Sequence, residues 1–234
     1  MKKYLEATTL LDFNKPSIQN LISNRGWTKL EEKEKIQAVY DFVRNEIKFG
    51  YNKGDDITAS EVLRDGYGQC NTKSILLMAL LRALGIPCRI HGFFIDKKMQ
   101  KGALTGIIYL FAPKKIVHAW TEVYFDKQWI ALEGVIIDER YLNQVKDKLC
   151  NFNNGYIGYG ISVKNKEKIN LCWQGQSTYI QSFSITDDLG FFNNPDDFFI
   201  KYNNTSNKIK KILFNILRKR INKKLDLIRY SKNN

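Results

Sequence analysis

Three side chains in this sequence have the types and the order that thiol chemistry requires: Cys70, His118 and Glu133. Cys70 follows Gly66-Tyr67-Gly68-Gln69 and opens a segment that reads as a helix. Its sulfur therefore sits where unpaired backbone N–H groups and the helix dipole favour negative charge, the setting that activates a thiol. A thiolate nucleophile needs a partner to carry its proton, and His118, within Ile116-Val117-His118-Ala119-Trp120, is the candidate. The imidazole in turn needs an acceptor that fixes its tautomer. Glu133 lies on the next β-patterned run, beyond the turn Asp126-Lys127-Gln128. Pairing Phe125 with Trp129 across that turn places Glu133 opposite Thr121, three residues from His118. Each residue alone has a bland reading as a packed cysteine, a strand histidine or a salt-bridge carboxylate. Their order and spacing together argue for a site. Asp138 is the reserve carboxylate.

The elements that must position these groups are legible in the hydrophobic period. Pro16 opens a short helix over 16–23 that Gly26 breaks, and Thr28-x-x-Glu31 and Thr58-x-x-Glu61 spell capping boxes before two further helices. The first of these carries the stripe Ile36, Val39, Tyr40, Val43 and Ile47. Residues 70–84 are apolar at almost every position from Ile75 onward and stop at Gly85-Ile86-Pro87, which predicts a core helix buried on several sides. The period then changes from 3.6 to 2. Residues 88–95, 107–111, 116–125 and 129–136 read as strands of an antiparallel sheet, 173–185 as a further strand or edge, and 187–195 as turns. Helices followed by a sheet predict an α+β fold in which the core helix lies on one face of the strands.

Composition narrows the class. The chain has 234 residues, 44% hydrophobic, with 37 Lys plus Arg against 24 Asp plus Glu, enough for one sizeable core and inconsistent with disorder. The longest apolar run, Ile75 to Leu81, is far too short to span a bilayer, and Glu6 and Asp12 interrupt any signal-peptide pattern, so a cytoplasmic protein is expected. The four cysteines are spaced by 18, 62 and 22 residues, which is no zinc pattern; no cofactor or metal is expected. The positive charge gathers at one end, where residues 206–234 hold ten Lys/Arg against one acid, Asp226. Ile209, Ile212, Leu213, Ile216, Leu217, Ile221, Leu225 and Ile228 repeat there at helical spacing. The expected organisation is a domain over 1–205 and a basic amphipathic helix over 206–234. That helix reads as docked on the core, with peripheral contact to an anionic membrane as the functional alternative. Lysine outnumbers arginine 28 to 9, which argues against nucleic acid as a partner.

Gly66-Tyr67-Gly68-Gln69-Cys70-Asn71-Thr72-Lys73, with Ala79-Leu80-Leu81-Arg82-Ala83-Leu84-Gly85-Ile86-Pro87-Cys88-Arg89 after it, resembles the nucleophile helix of bacterial transglutaminase-like proteins. His118-Ala119-Trp120-Thr121-Glu122-Val123 and Trp129-Ile130-Ala131-Leu132-Glu133 resemble that superfamily's second and third blocks, and the similarity covers about 52–138. The resemblance implies a papain-like core and acyl transfer through a Cys thioester on an amide or peptide substrate. Cys70 would be the nucleophile and His118 the base and acid, with Glu133 standing where the family usually has Asp. Hydrolysis is expected over cross-linking. The sequence departs from calcium-dependent transglutaminases in having only Trp27 upstream of Cys70, so Gln69 or Tyr51 is the expected second oxyanion donor beside the Cys70 N–H. Two competing readings are a catalytically inactive binding module on the same fold and a surface-associated protein acting through its basic helix. His91 and Cys88 read as packing residues beside the sheet.

Overall fold

The computed structural model describes residues 1–202 and 208–231, with side chains throughout except at Ile107, 208–214 and Ile216. Helix α1 (Pro16–Asn24) begins with proline in its first turn, where the missing N–H has no intrahelical partner to lose. Helix α2 (Glu32–Asn45) starts later than its expected cap. Thr28 lies in a short 3-10 turn instead, and the Glu31 N–H donates to Glu34 Oε2 at 3.1 Å. The turn sets the Trp27 ring against Phe42 with centroids 5.5 Å apart, and that burial outweighs the Thr28 capping preference. After strand β1 (Lys48–Phe49), helix α3 (Ala59–Asp65) has the expected Thr58/Glu61 capping box, with reciprocal bonds of 3.2 and 3.3 Å, and ends at Gly66 with φ 69°. Strand β2 (Tyr67–Gly68) pairs in parallel with β1.

Helix α4 (Cys70–Ala83) is buried from Cys70 through Arg82. It is followed by β3 (Cys88–Asp96), α5 (Gly106–Phe111), β4 (Lys115–Phe125), β5 (Gln128–Ala131) and α6 (Glu139–Val145). A small meander of β6 (Cys150–Phe152), β7 (Gly155–Gly158) and β8 (Ile161–Val163) precedes β9 (Ile185–Phe192), α7 (Pro195–Tyr202) and α8 (Lys208–Arg229). The main sheet has the order β5-β4-β3-β9 and is antiparallel throughout. The fold is the expected α+β arrangement, and α4 is riveted to β4 by polar groups at alternate strand positions. Asn71 Nδ2 donates to Val117 O at 3.1 Å, Ser74 Oγ to Ala119 O at 3.2 Å, and Thr121 Oγ1 to Ser74 O at 3.1 Å.

Four strand assignments change: 133–136 leave the sheet as a 3-10 turn, 173–184 give only an isolated bridge of Thr178 to Leu132, 107–111 are helix, and 187–192 are strand. Residues 107–111 are helical because Lys97 Nζ gathers the carbonyls of Tyr109, Leu110 and Ala112 at 3.2 to 3.3 Å, and a short continuous apolar run carries no period that separates helix from strand. The final strand is β9, inside a stretch expected to be turns. His91 on β3 and Asp188 on β9 join at 2.9 Å and help hold this acidic, glycine-containing edge in the sheet despite its bulges.

The expected boundary between residues 205 and 206 falls outside the described residues, as do the side chains of Ile209, Ile212, Leu213 and Ile216. From Arg218 onward α8 is docked. Ile221 and Leu225 are buried, Asn222 bonds both the N–H and the C=O of Tyr51 at 2.8 and 3.1 Å, and Lys224 Nζ donates to Gly102 O at 2.7 Å. Its far end is locked by Arg229, which donates to both Asp138 oxygens at 2.9 to 3.2 Å and to Phe49 O at 2.7 Å. No helix among the described residues is long and apolar enough to cross a membrane.

Candidate active site

Cys70 is the first residue of α4, and the turn that delivers it is closed by the Gln69 N–H donating to Thr72 Oγ1 at 3.0 Å. The thiol is 7% exposed, and the α4–β4 bonds place it beside the N-terminal half of β4, where His118 is fully buried. His118 pairs with Phe93 across the sheet, and its ring lies near those of Phe93 and Trp120, at 6.2 and 5.8 Å.

Glu133 reaches His118 by a route the expected register does not give. The β4–β5 turn is two residues, Asp126 and Lys127, both at positive φ (48° and 61°), the hairpin geometry whose twist matches that of the strands. Phe125 therefore pairs with Gln128 and not with Trp129, and the ladder ends at Glu122 opposite Ala131. One further bond, Leu132 N to Thr121 O at 2.9 Å, closes it. Glu133 then begins a short 3-10 turn, Glu133–Ile136, instead of continuing the strand. From that turn Oε1 meets His118 Nε2 at 3.0 Å, while Oε2 accepts the Ile180 N–H at 2.8 Å. Next in the turn, the Gly134 N–H donates to Thr178 O and Oγ1 at 3.3 and 3.2 Å. A β-carbon at Gly134 would overlap the Tyr40 hydroxyl, so this close approach requires glycine.

The electrostatics follow from burial and these partners. Burial by itself would lower the His118 pKa, but the Cys70 thiol and then Glu133 raise it further, to about 9 from an ordinary 6.5. With Nε2 committed to Glu133, the remaining ring nitrogen, Nδ1, is buried without a hydrogen-bond partner and is the atom available to the thiol. Burial pushes the Tyr51 hydroxyl well up, with the nearby Cys70 second among the causes, and Gln100 offers it a side-chain hydrogen bond. Of the two expected oxyanion donors, Gln69 is committed elsewhere. Its Nε2 donates to Asp55 Oδ1 at 2.8 Å and its Oε1 accepts the Asn52 N–H at 3.1 Å. Asp138, the reserve carboxylate, is held by Arg229 and caps α6 through the Tyr141 N–H at 2.9 Å.

The other flagged residues lie apart from the thiol. His91 is held between Glu122 Oε1 and Asp188 Oδ1 at 3.0 and 2.9 Å, and burial pushes the Cys88 thiol up to about 11 against the opposing effect of Arg82. No group of three or more His, Cys, Asp or Glu side chains able to hold a metal ion occurs among the described residues. Sequence reasoning missed Lys73, Thr178 and the backbone of Ile180, all of which hold the turn that carries Glu133. The signal in the sequence near them is Trp173-Gln174-Gly175-Gln176-Ser177-Thr178-Tyr179, a run of polar and aromatic groups suited to lining a cleft.

Residues 22–134, which contain Cys70, His118 and Glu133, match the model of the transglutaminase-like superfamily. The uncharacterised protein YebA of Bacillus subtilis (strain 168) is 30% identical over 110 residues, 43% of this chain and 15% of that protein, so the chain spans only a small part of this relative's length. A crystal structure of a candidate cysteine protease from Cytophaga hutchinsonii is similar over 55% of this chain and 39% of its own, with 22% identity and a TM-score of 0.40.

Proposed function

We propose, from the match of residues 22–134 to the transglutaminase-like superfamily model, that the chain is a thiol-dependent acyl-transfer enzyme acting on an amide or peptide bond. The observation that carries this reading is the two-sided environment of His118. Glu133 holds Nε2, and Nδ1 is left buried and unpartnered for the thiol at the start of α4.

In this reading His118 already carries the proton that Cys70 gives up, and Sγ attacks the amide carbonyl from beside the imidazolium. The carbonyl π electrons move to oxygen, and the Cys70 N–H at the helix start, with Tyr51, supports the oxyanion. As the C–N bond breaks, His118 returns the proton to the leaving amine and a thioester remains. Water then adds to the thioester, giving a proton to His118 and expelling Sγ as the thiolate. The sum is amide plus water to carboxylic acid plus amine. Glu133 keeps the imidazolium oriented throughout. Hydrolysis is favoured over transfer to a second amine because Cys70 is 7% exposed and His118 fully buried, and water is the acceptor that needs no second groove.

The test is acylation by p-nitrophenyl acetate followed by peptide mass spectrometry. The expected result is an acetyl thioester on Cys70 that disappears in water and faster in hydroxylamine, with little acceleration by cadaverine. An acetyl group on other residues only, or equal acylation of Cys70 in His118→Ala, supports the inactive binding module instead. Strong acceleration by cadaverine overturns the preference for hydrolysis.

A further inference from the structure

Lys73 is a fully buried amine one helical turn beyond Cys70 on α4. Its Nζ donates to Arg44 O, near the C-terminus of α2, and to Ile136 O, the last residue of the 3-10 turn that Glu133 opens, each at 3.1 Å. An unpaired lysine is among the most unfavourable side chains to bury, and an apolar chain of the same length would fill the space without that penalty. Burial pulls its pKa down to about 7, partly offset by Asp138. The stem is also tightly accommodated, since a β-carbon at Gly68 would come within 2.8 Å of Lys73 Cγ.

What Lys73 touches matters because of how the turn is fixed elsewhere. Its first residue is held by His118 and Ile180, and its second by Thr178. Its last carbonyl is bonded to the nucleophile helix through Lys73 Nζ. From Cys70 one turn of α4 leads to Lys73, then to Ile136, back through the four-residue turn to Glu133, and across to His118.

We propose that Lys73 is a positioning residue that sets the spacing of Cys70, His118 and Glu133 by tying the nucleophile helix to the far end of the turn that carries Glu133. This rests on the triad reading above. It adds a fourth residue that touches no reacting atom and acts by holding two elements at a fixed separation. The alternative is that Lys73 only satisfies two helix-end carbonyls, in which case its loss lowers stability and leaves the His118 environment as it was.

The experiment measures two properties of the folded protein in a Cys150→Ser/Cys172→Ser background: the His118 titration by imidazole NMR, and the rate of Cys70 alkylation by iodoacetamide. In Lys73→Met the expected result is a His118 pKa that falls from about 9 toward 6.5, with alkylation at pH 7 at least about tenfold slower. Lys73→Arg, which keeps the donors, should recover part of both. Should Lys73→Met fail to fold, the wild-type titration decides. The His118 resonance should then show a second inflection at the pH where a Lys73 Nζ probe titrates, near 7. A folded Lys73→Met with wild-type titration and alkylation overturns the proposal and leaves the triad standing, as does a wild-type His118 resonance that ignores Lys73. A wild-type His118 that titrates like a free histidine removes the triad and this inference together.

Discussion

Glu133 Oε1 lies 3.0 Å from His118 Nε2 although Glu133 has already left the strand that pairs with β4. The contact exists because the ladder stops at Ala131 and the chain turns back under Thr178 and Ile180. The carboxylate is thus held from both sides, one oxygen by imidazole and one by a backbone N–H.

Glu133→Gln preserves the shape but removes the charge that favours imidazolium. Thioester formation on Cys70 should fall by roughly 10² to 10⁴-fold with little change in folding, the size of effect that follows loss of the carboxylate in a comparable triad. Glu133→Asp is one methylene too short to reach both His118 Nε2 and the Ile180 N–H, and should fall between wild type and Gln. Acylation rates of the three proteins check this order, and a Gln variant as fast as wild type contradicts it.

Stability against pH separates the two buried bases. His118, at about 9 against an ordinary 6.5, binds more protons folded than unfolded, so its contribution is full below 6.5 and is lost as pH rises through 9. Lys73, at about 7 against 10.5, binds fewer, so its contribution grows from pH 7 to 10.5. Between pH 7 and 9 the two oppose each other and urea unfolding of the wild type should be nearly flat. In His118→Ala only the lysine slope remains, a rise of about 1.4 kcal/mol per pH unit. A flat profile in both proteins contradicts this pairing.

Arg229 and Asp138 are both buried, and Asp138 also accepts the Phe49 N–H at 2.9 Å. Burial alone would raise the Asp138 carboxyl, but Arg229 holds it below its ordinary range. Arg229→Met leaves that charge unpaired and should lower unfolding free energy by about 3 to 5 kcal/mol. Chemical denaturation measures it, and a change within about 0.5 kcal/mol would show that α8 is not locked by this pair.

Over the described part of α8, Ile221 and Leu225 are turned into the core while Lys219, Arg220 and Lys223 are exposed, so charge dominates what it offers a surface, with Leu227 the exposed apolar residue among them. Any binding to phosphatidylserine vesicles at low salt should therefore disappear near 0.15 M salt. Binding that survives that salt would mean that α8 leaves the core and inserts its apolar face.

The helical half of the fold was legible because capping and period agree there. Thr58 and Glu61 form their box, Gly66 ends α3, and the apolar run after Cys70 is the buried helix. The sheet was legible where strands alternate, and failed where two forces acted from outside the segment. Lys97 collects helix-end carbonyls at 107–111, and His91 holds Asp188 on β9. Cys70, His118 and Glu133 could be named from order and spacing. The hairpin register could not, because Asp126-Lys127 is a two-residue turn made by non-glycine residues at positive φ, which local preference disfavours. Lys73 was hidden for a different reason: a lysine near a helix start reads as solvated, and only tertiary contacts reveal its two carbonyl partners.

The most direct test of the account is the pH dependence of Cys70 alkylation by iodoacetamide in the Cys150→Ser/Cys172→Ser background, with and without His118→Ala. A positively charged His118 that persists toward pH 9 favours the thiolate beside it. At pH 6 the protein with His118 should react at least about tenfold faster than His118→Ala, and the two rates should converge as pH rises past the histidine titration. Superimposable profiles for the two proteins would contradict it.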